Sequence, residues 1–210
     1  MCRRAHQQHN PVNGYRAQAP SSSARCGGEL GGLPFIVEDP GVITPDVCAL
    51  RDHFHLPGTR VLQFAFDGSR DNPYLPDRYV SNTVVYTGTH DNNTTRGWYK
   101  ELPDRERQEL WNYLKRPAGH GEQAAPALMH LAWSSPASLA IAPLQDLLNL
   151  GEEARMNVPG RAQGNWCWRS TKDMLSAPAF QGLRDLTSAS RRLAVVESPG
   201  SGLLTSRKEY

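Results

Sequence analysis

Four short apolar runs, each followed by acidic or amide side chains, constrain the fold of this 210-residue chain more than any other feature. The first run, 33–37, is nearly continuous, which is typical of a strand buried on both faces of a parallel sheet. Segments with helical signals separate the runs, and this alternation predicts βα units. The predicted strands span 33–37, 59–66, 83–87 and 138–144, and the polar residues that follow them are Glu38-Asp39, Asp67, His90-Asp91 and Gln145-Asp146.

The clearest helix signal is the stretch Thr44-Pro45-Asp46. It combines a hydroxyl N-cap, a proline at the first helical position and an acid in the first turn. Apolar residues then recur on one helical face until Pro57-Gly58 ends the pattern. Further helices are predicted over 104–115, 125–133 and 179–186.

The composition divides the chain into three parts. Residues 1–32 are rich in Gln, Ser, Arg, Pro and Gly, and we expect a disordered leader unrelated to the rest. Residues 33–192 are expected to form the folded part, and 193–210 a flexible tail. An acid-poor start with Arg and Ser is also typical of an organelle transit peptide. We therefore expect a cytoplasmic protein, or a plastid protein if the leader is such a peptide.

Charge, hydropathy and cysteines exclude several functional classes. The net charge of +2 gives no electrostatic case for nucleic acid, and no apolar run approaches the roughly 20 residues of a membrane span. The four cysteines show neither CxxC pairing nor His/Cys metal spacing, so free thiols are favoured over disulfides or a metal site.

Glu38 and Asp91 are the candidate catalytic residues. Cleavage of a glycosidic bond usually takes two carboxyl groups that flank the anomeric carbon, and a barrel would bring these two strand ends together. His90 could donate to a sugar hydroxyl, and the faces of Trp166 and Trp168 could stack on sugar rings. The pattern alone leaves the alternatives open: acids that cap the following helices, a loop histidine with local hydrogen bonds, and tryptophans of which one lies in the core and one on the surface.

Three segments carry a resemblance to a known family. They are LPFIVEDPGVITPDVCALRDHFHLPGTRVLQFAFDG, NPYLPDRYVSNTVVYTGTHDNNTTRGW and LQDLLNLGEEARMNVPGRAQGNWCWR. Their sequence, order and spacing over about residues 33–192 closely resemble the 4-α-glucanotransferases, also called amylomaltases or disproportionating enzymes.

The resemblance implies an α/β fold: a partial (β/α)₈ TIM barrel of the α-amylase type, its second half, with about four βα units. It implies a retaining transfer of an α-1,4-glucan segment to the 4-hydroxyl of an acceptor, without an organic cofactor. Maltooligosaccharides, starch or glycogen would be the partners. Glu38 would be the general acid/base and Asp91 the transition-state stabiliser, while His90, Asn157 and Trp166 would bind substrate.

Two departures from the family pattern limit this expectation. Pro40 stands where the family usually has Leu, and its fixed φ restricts Asp39. The Arg-x-Asp-His motif that carries the family's nucleophilic aspartate does not occur in this sequence. We therefore expect the chain to be inactive alone. The alternatives are a non-catalytic glucan-binding pseudoenzyme and one half of a split enzyme whose N-terminal half-barrel is a separate partner.

Overall fold

The computed structural model describes residues 28–29, 33–39 and 43–193. A parallel sheet of three strands organises it, in the order β1 Gly58–Val61, β2 Thr83–Tyr86 and β3 Leu139–Ile141. Gly58 of β1 lies opposite Thr83 of β2, and Val84 of β2 lies opposite Leu139 of β3. The parallel pairing predicted from the alternation of apolar runs and helices is confirmed.

The predicted strand over 33–37 is wrong as a strand buried on both faces. Only Val37 pairs, through a single parallel bridge to Gly58. The side chains of Phe35 and Ile36 are 49% and 43% exposed. A fully buried strand needs a neighbour on each edge and a layer on each face, and β1 alone pairs with this stretch among the described residues. Of the four predicted strands, three form in the structure, and the first is reduced to a single β-bridge.

The predicted strand over 59–66 is too long, because β1 ends at Val61 and a 3₁₀ turn follows at Leu62–Phe64. Leu62 is fully buried in that turn. A continuous apolar run does not distinguish a strand from a buried helical turn, which explains the error. Asp67 consequently lies beyond the strand end, where its carboxylate accepts a hydrogen bond from the Ser69 amide at 2.9 Å.

Helices lie before β1, between β2 and β3, and after β3, whereas 3₁₀ turns lie between β1 and β2. The predicted helices after Thr44 and over 104–115, 125–133 and 179–186 are confirmed, whereas α2 Thr95–Glu101 was not predicted. A short helix at Leu144–Leu147 was not predicted either, and it overlaps the end of the predicted strand over 138–144, which in the structure is limited to Leu139–Ile141. The side chain of Thr94 caps α2 by accepting a hydrogen bond from the Gly97 amide at 3.1 Å. The helices are α1 Pro45–His53, α2 Thr95–Glu101, α3 Asp104–Tyr113, α4 Gly121–Ser134, α5 Leu144–Leu147 and α6 Ala177–Ala189, with further 3₁₀ turns at Pro76–Arg78, Glu152–Ala154 and Lys172–Met174.

The main core lies between β2 and the helices α2 to α4. Val85, Leu110 and Leu128 are completely buried there. The indole of Trp111 donates to the Tyr99 hydroxyl at 2.8 Å, which satisfies the one polar atom of a buried aromatic ring. Within the described ranges, none of the helices has the length and apolar character needed to cross a membrane.

Candidate active site

The first candidate carboxylate, Glu38, is exposed because its neighbour Asp39 faces inward. Asp39 is 6% exposed and accepts hydrogen bonds from the Thr59 amide and from Arg51 Nη1, both at 2.6 Å. Side chains alternate along an extended chain, so locking Asp39 against β1 turns Glu38 the other way. Asp39 is therefore a structural anchor, and Glu38 is the acid available for chemistry.

The segment that carries His90 and Asp91 leaves the end of β2 and is anchored by a buried carboxylate, Asp146. This carboxylate accepts hydrogen bonds from the Thr87 hydroxyl at 2.5 Å, the Thr95 amide at 2.8 Å and the Thr95 hydroxyl at 2.6 Å. Burial raises the pKa of Asp146, while the hydrogen bonds from Thr87 and Thr95 oppose that rise. The loop between β2 and α2 is thereby fixed at both ends to the residue in α5.

Asp91 itself is half exposed and lies beside His90. The Nε2 atom of His90 is 3.4 Å from Asp91 Oδ1, and each side chain is 50% exposed. Two side chains from a segment that is distant in sequence donate hydrogen bonds to Asp91. Asn157 Nδ2 donates to Asp91 Oδ1 at 2.6 Å, and Arg155 Nη2 donates to the Asp91 carbonyl at 3.0 Å.

Trp166 completes this group of side chains. Its ring centroid is 5.2 Å from that of His90, at an interplanar angle of 37°. Its backbone has a φ of 60°, and half of its surface is exposed. A left-handed conformation is uncommon for a bulky residue and is often found at functional sites. The conformation therefore holds an open indole face beside His90, the neighbour of Asp91.

Two adjoining cavities are lined by these residues. The larger, about 270 Å³, is lined by Glu38, Tyr86, His90 and Arg155 among others. The smaller, about 220 Å³, brings Glu38 and Asp91 to one space, together with His90 and Tyr86. Burial raises the pKa of the Tyr86 phenol, and the nearby Glu38 carboxylate raises it further. Among the described residues that line the two cavities, Glu38 and Asp91 carry the carboxylates.

The structure thus gathers the predicted site residues around one region. Glu38, His90 and Asp91 share a cavity, Asn157 binds Asp91, and Trp166 lies against His90. Pro40, the departure noted in the sequence, lies outside the described residues.

Sequence reasoning missed the supporting residues of this site. Arg155 carried one signal, its position two residues before Asn157 in a stretch that resembles the family. The anchoring role of Asp146 carried a weaker signal, its position after an apolar run. Tyr86 lies inside a predicted strand and carried no signal of its own. Two carboxylates, a histidine and an exposed indole are together suited to binding and cleaving a glycosidic linkage.

Comparison with known proteins identifies the family. The family model for 4-alpha-glucanotransferase matches residues 6–174. This chain belongs to the 4-alpha-glucanotransferase family. It is 50% identical over 172 residues to the 4-alpha-glucanotransferase of Thermus thermophilus, an alignment that covers 78% of this chain and 34% of the relative. It is 54% identical over 145 residues to that of Synechocystis, covering 69% of this chain and 28% of the relative.

Solved structures agree with this assignment. The amylomaltase of Streptococcus agalactiae in complex with acarbose superposes with a TM-score of 0.78 at 29% identity, covering 85% of this chain and 36% of that structure. The amylomaltase of Corynebacterium glutamicum, at a TM-score of 0.56 and 19% identity, shows the shared fold. The chain spans about a third of the length of the relatives it matches.

The extent of the match bears on the predicted leader. The match to the family model begins at residue 6, inside the segment 1–32 that was predicted to be unrelated. Most of that segment lies outside the described residues, and the boundary at residue 32 stays a prediction.

Proposed function

We propose that this chain supplies the general acid/base and the transition-state stabiliser of a 4-α-glucanotransferase active site. That site acts on α-1,4-glucans by a retaining mechanism. The single observation that carries this proposal is the shared cavity of Glu38 and Asp91. The parallel sheet and its helices form, in this proposal, the second half of a (β/α)₈ barrel, with the carboxyl ends of its strands at the site.

Glu38 is assigned the general acid/base role. It protonates the glycosidic oxygen as the donor glucan is cleaved, and it then takes the proton from the 4-hydroxyl of the acceptor glucan. Its exposed carboxyl reaches both cavities, whereas Asp39 is occupied by Thr59 and Arg51. Of the two neighbouring acids, only Glu38 has a free path to substrate.

Asp91 is assigned the stabilisation of positive charge on the sugar in the transition state. A carboxylate serves this purpose when no permanent cation neutralises it. Among the ion pairs of the described residues, Asp91 has His90 as its partner and neither arginine nor lysine. The contact from Asn157 is a neutral amide, so it orients the carboxylate without cancelling its charge.

A retaining reaction also needs a nucleophile that forms the glycosyl-enzyme intermediate. The carboxylates among the described residues of the two cavities are already assigned, so we propose that the nucleophile comes from outside the described residues. On this account the chain binds glucan alone and transfers it only when the remaining part of the site is supplied. A separate N-terminal half-barrel would be the partner that supplies it.

A chimaera tests these roles. Residues 33–193 of this chain replace the matching segment of the Thermus thermophilus enzyme, and maltotriose disproportionation is followed by chromatography of the products. We expect glucose and longer maltooligosaccharides from the chimaera and none from this chain alone. Glu38→Gln in the chimaera should lower the transfer rate by about 10²- to 10⁴-fold, the usual contribution of a general acid/base.

The control is Asp67→Asn. This acid also follows a predicted strand, but among the described residues its hydrogen-bond partner is the Ser69 amide alone. Its transfer rate should match that of the parent chimaera. A Glu38→Gln chimaera that retains full activity would remove Glu38 from the reaction.

The exposed indole of Trp166 favours a second candidate, glucan binding without catalysis. Calorimetric titration of this chain with maltoheptaose detects binding. The chimaera then separates the two candidates, because a module that only binds glucan gives no transfer in it.

A further inference from the structure

One edge of the Arg155 guanidinium joins two segments of the site. Arg155 Nε donates to the Asn157 carbonyl at 2.8 Å, and Nη2 donates to the Asp91 carbonyl at 3.0 Å. These two N–H groups lie side by side on the planar fork, so one rigid group holds both carbonyls at once. Asp91 and Asn157 are far apart in sequence, and this fork fixes the distance between their backbones.

The backbone of Arg155 is itself fixed by the core. Ala154, directly before it, is 1% exposed, and the Ala154 carbonyl accepts a hydrogen bond from the side chain of Gln145 at 3.2 Å. The Arg155 amide donates to the Glu152 carbonyl at 3.0 Å and closes the 3₁₀ turn. The backbone from which the guanidinium extends is therefore anchored beside α5.

The positive charge of Arg155 is not used in an ion pair within the described ranges, where the salt bridges involve other arginines, Lys100 and His90. The guanidinium instead donates hydrogen bonds to two backbone carbonyls. Arg155 thereby fixes the backbone of Asn157, and the side chain of Asn157 reaches Asp91 Oδ1 at 2.6 Å. The backbone N–H of Asn157 also donates to the His90 carbonyl at 3.1 Å, which makes a second link to the same turn.

We infer that Arg155 is a positioning residue that sets the orientation of the Asp91 carboxylate through the backbone of Asp91 and through Asn157. This inference deepens the proposed function and rests on it for the role of Asp91. It also changes the role of Asn157, which is predicted from the sequence to bind substrate and is here the donor that orients a catalytic acid. A lysine cannot replace Arg155, because one ammonium cannot span both carbonyls in the plane of the fork.

The test uses the full chain and the side-chain amide signal of Asn157 in NMR spectra. In the wild type this signal should shift as Asp91 is protonated, since the two groups share a short hydrogen bond. In Arg155→Lys the dependence on Asp91 should be lost, while the backbone signals of the core remain in place. The Kd for maltoheptaose, measured by calorimetry, should rise about tenfold. This is the effect expected when the misoriented Asp91 carboxylate loses one hydrogen bond to the glucan.

Arg161→Lys is the matched control. It lies in the same loop, its side chain is exposed, and its contacts within the described part of the chain are made by its backbone. It should leave both the Asn157 signal and the Kd unchanged. An Arg155→Lys variant whose Asn157 signal still follows Asp91 overturns the inference. A wild-type chain that fails to bind maltoheptaose overturns the proposed function instead, and the NMR measurement still decides the role of Arg155.

Discussion

The two candidate catalytic acids follow the two parallel segments that flank β1, the Val37 bridge on one side and β2 on the other, and each is supported by a buried aspartate that binds a threonine. Behind Glu38, Asp39 Oδ1 accepts from both the amide and the hydroxyl of Thr59, at 2.6 and 3.1 Å. Beneath Asp91, Asp146 accepts from the amide and the hydroxyl of Thr95, at 2.8 and 2.6 Å. In both regions one acid is exposed for chemistry while another orders the backbone that carries it.

The two regions differ in what surrounds the buried aspartate. The buried Asp39 carboxylate pairs with a partly exposed Arg51. Its segment has, within the described ranges, the Val37 bridge as its one strand pairing, and α1 buries none of its side chains. Asp146 has neutral donors and lies next to the main core, with Val85 fully buried in the adjoining strand. Asp91 is therefore held by the fold as a whole, whereas Glu38 depends on a few polar contacts.

The largest effect on stability is expected from Asp146→Ala. The substitution leaves the hydroxyls of Thr87 and Thr95 and the Thr95 amide without their acceptor in a buried site. We expect a loss of about 3 kcal/mol in the free energy of unfolding, from unpaired buried groups that cost roughly 1–3 kcal/mol each. Urea denaturation measures it. A loss below about 1 kcal/mol would mean that water or a rearranged neighbour replaces the carboxylate.

Asp39→Asn should have a smaller effect on unfolding, about 1–2 kcal/mol, because the partly exposed Arg51 retains water and its second partner, Asp52. The control is Asp52→Asn, which breaks the other ion pair of Arg51, at an acid that is 65% exposed. Its effect should stay within about 0.5 kcal/mol. Equal effects of the two substitutions would contradict the anchoring role of Asp39.

The smallest expected effect is a difference in the pH dependence of stability. Burial raises the pKa of Asp146 in the folded state above its ordinary value of 3.8, so the folded chain binds the proton more tightly than the unfolded chain. This contribution to stability is therefore largest at low pH and declines as the pH rises from about 3.8 towards the folded pKa. Asp146→Asn should remove that decline. Urea denaturation of both proteins across this range measures the difference, and parallel curves would contradict it.

The sequence predicted the parallel α/β arrangement and a set of candidate site residues that the structure brings together, but not the contacts that hold them. Periodicity and turn signals located α1, α3, α4 and α6, since those features are local. The stretch 33–37 was misjudged because burial depends on neighbours that a local pattern does not contain. The contact of Asn157 with Asp91 and the fork of Arg155 join distant parts of the chain, so no spacing rule indicates them. The site residues were found because their stretches resemble a family, and their geometry required the structure.

In the proposed function, Glu38 and Asp91 act on one bound glucan. A structure of this chain with acarbose tests that claim most directly. We predict that acarbose occupies the cavity shared by the two acids, with one ring against the indole of Trp166. The Glu38 carboxyl should lie at hydrogen-bond distance, about 2.6–3.2 Å, from an atom that links two rings of acarbose. Acarbose bound at another surface, with Glu38 and Asp91 both free of contact to it, would contradict the account.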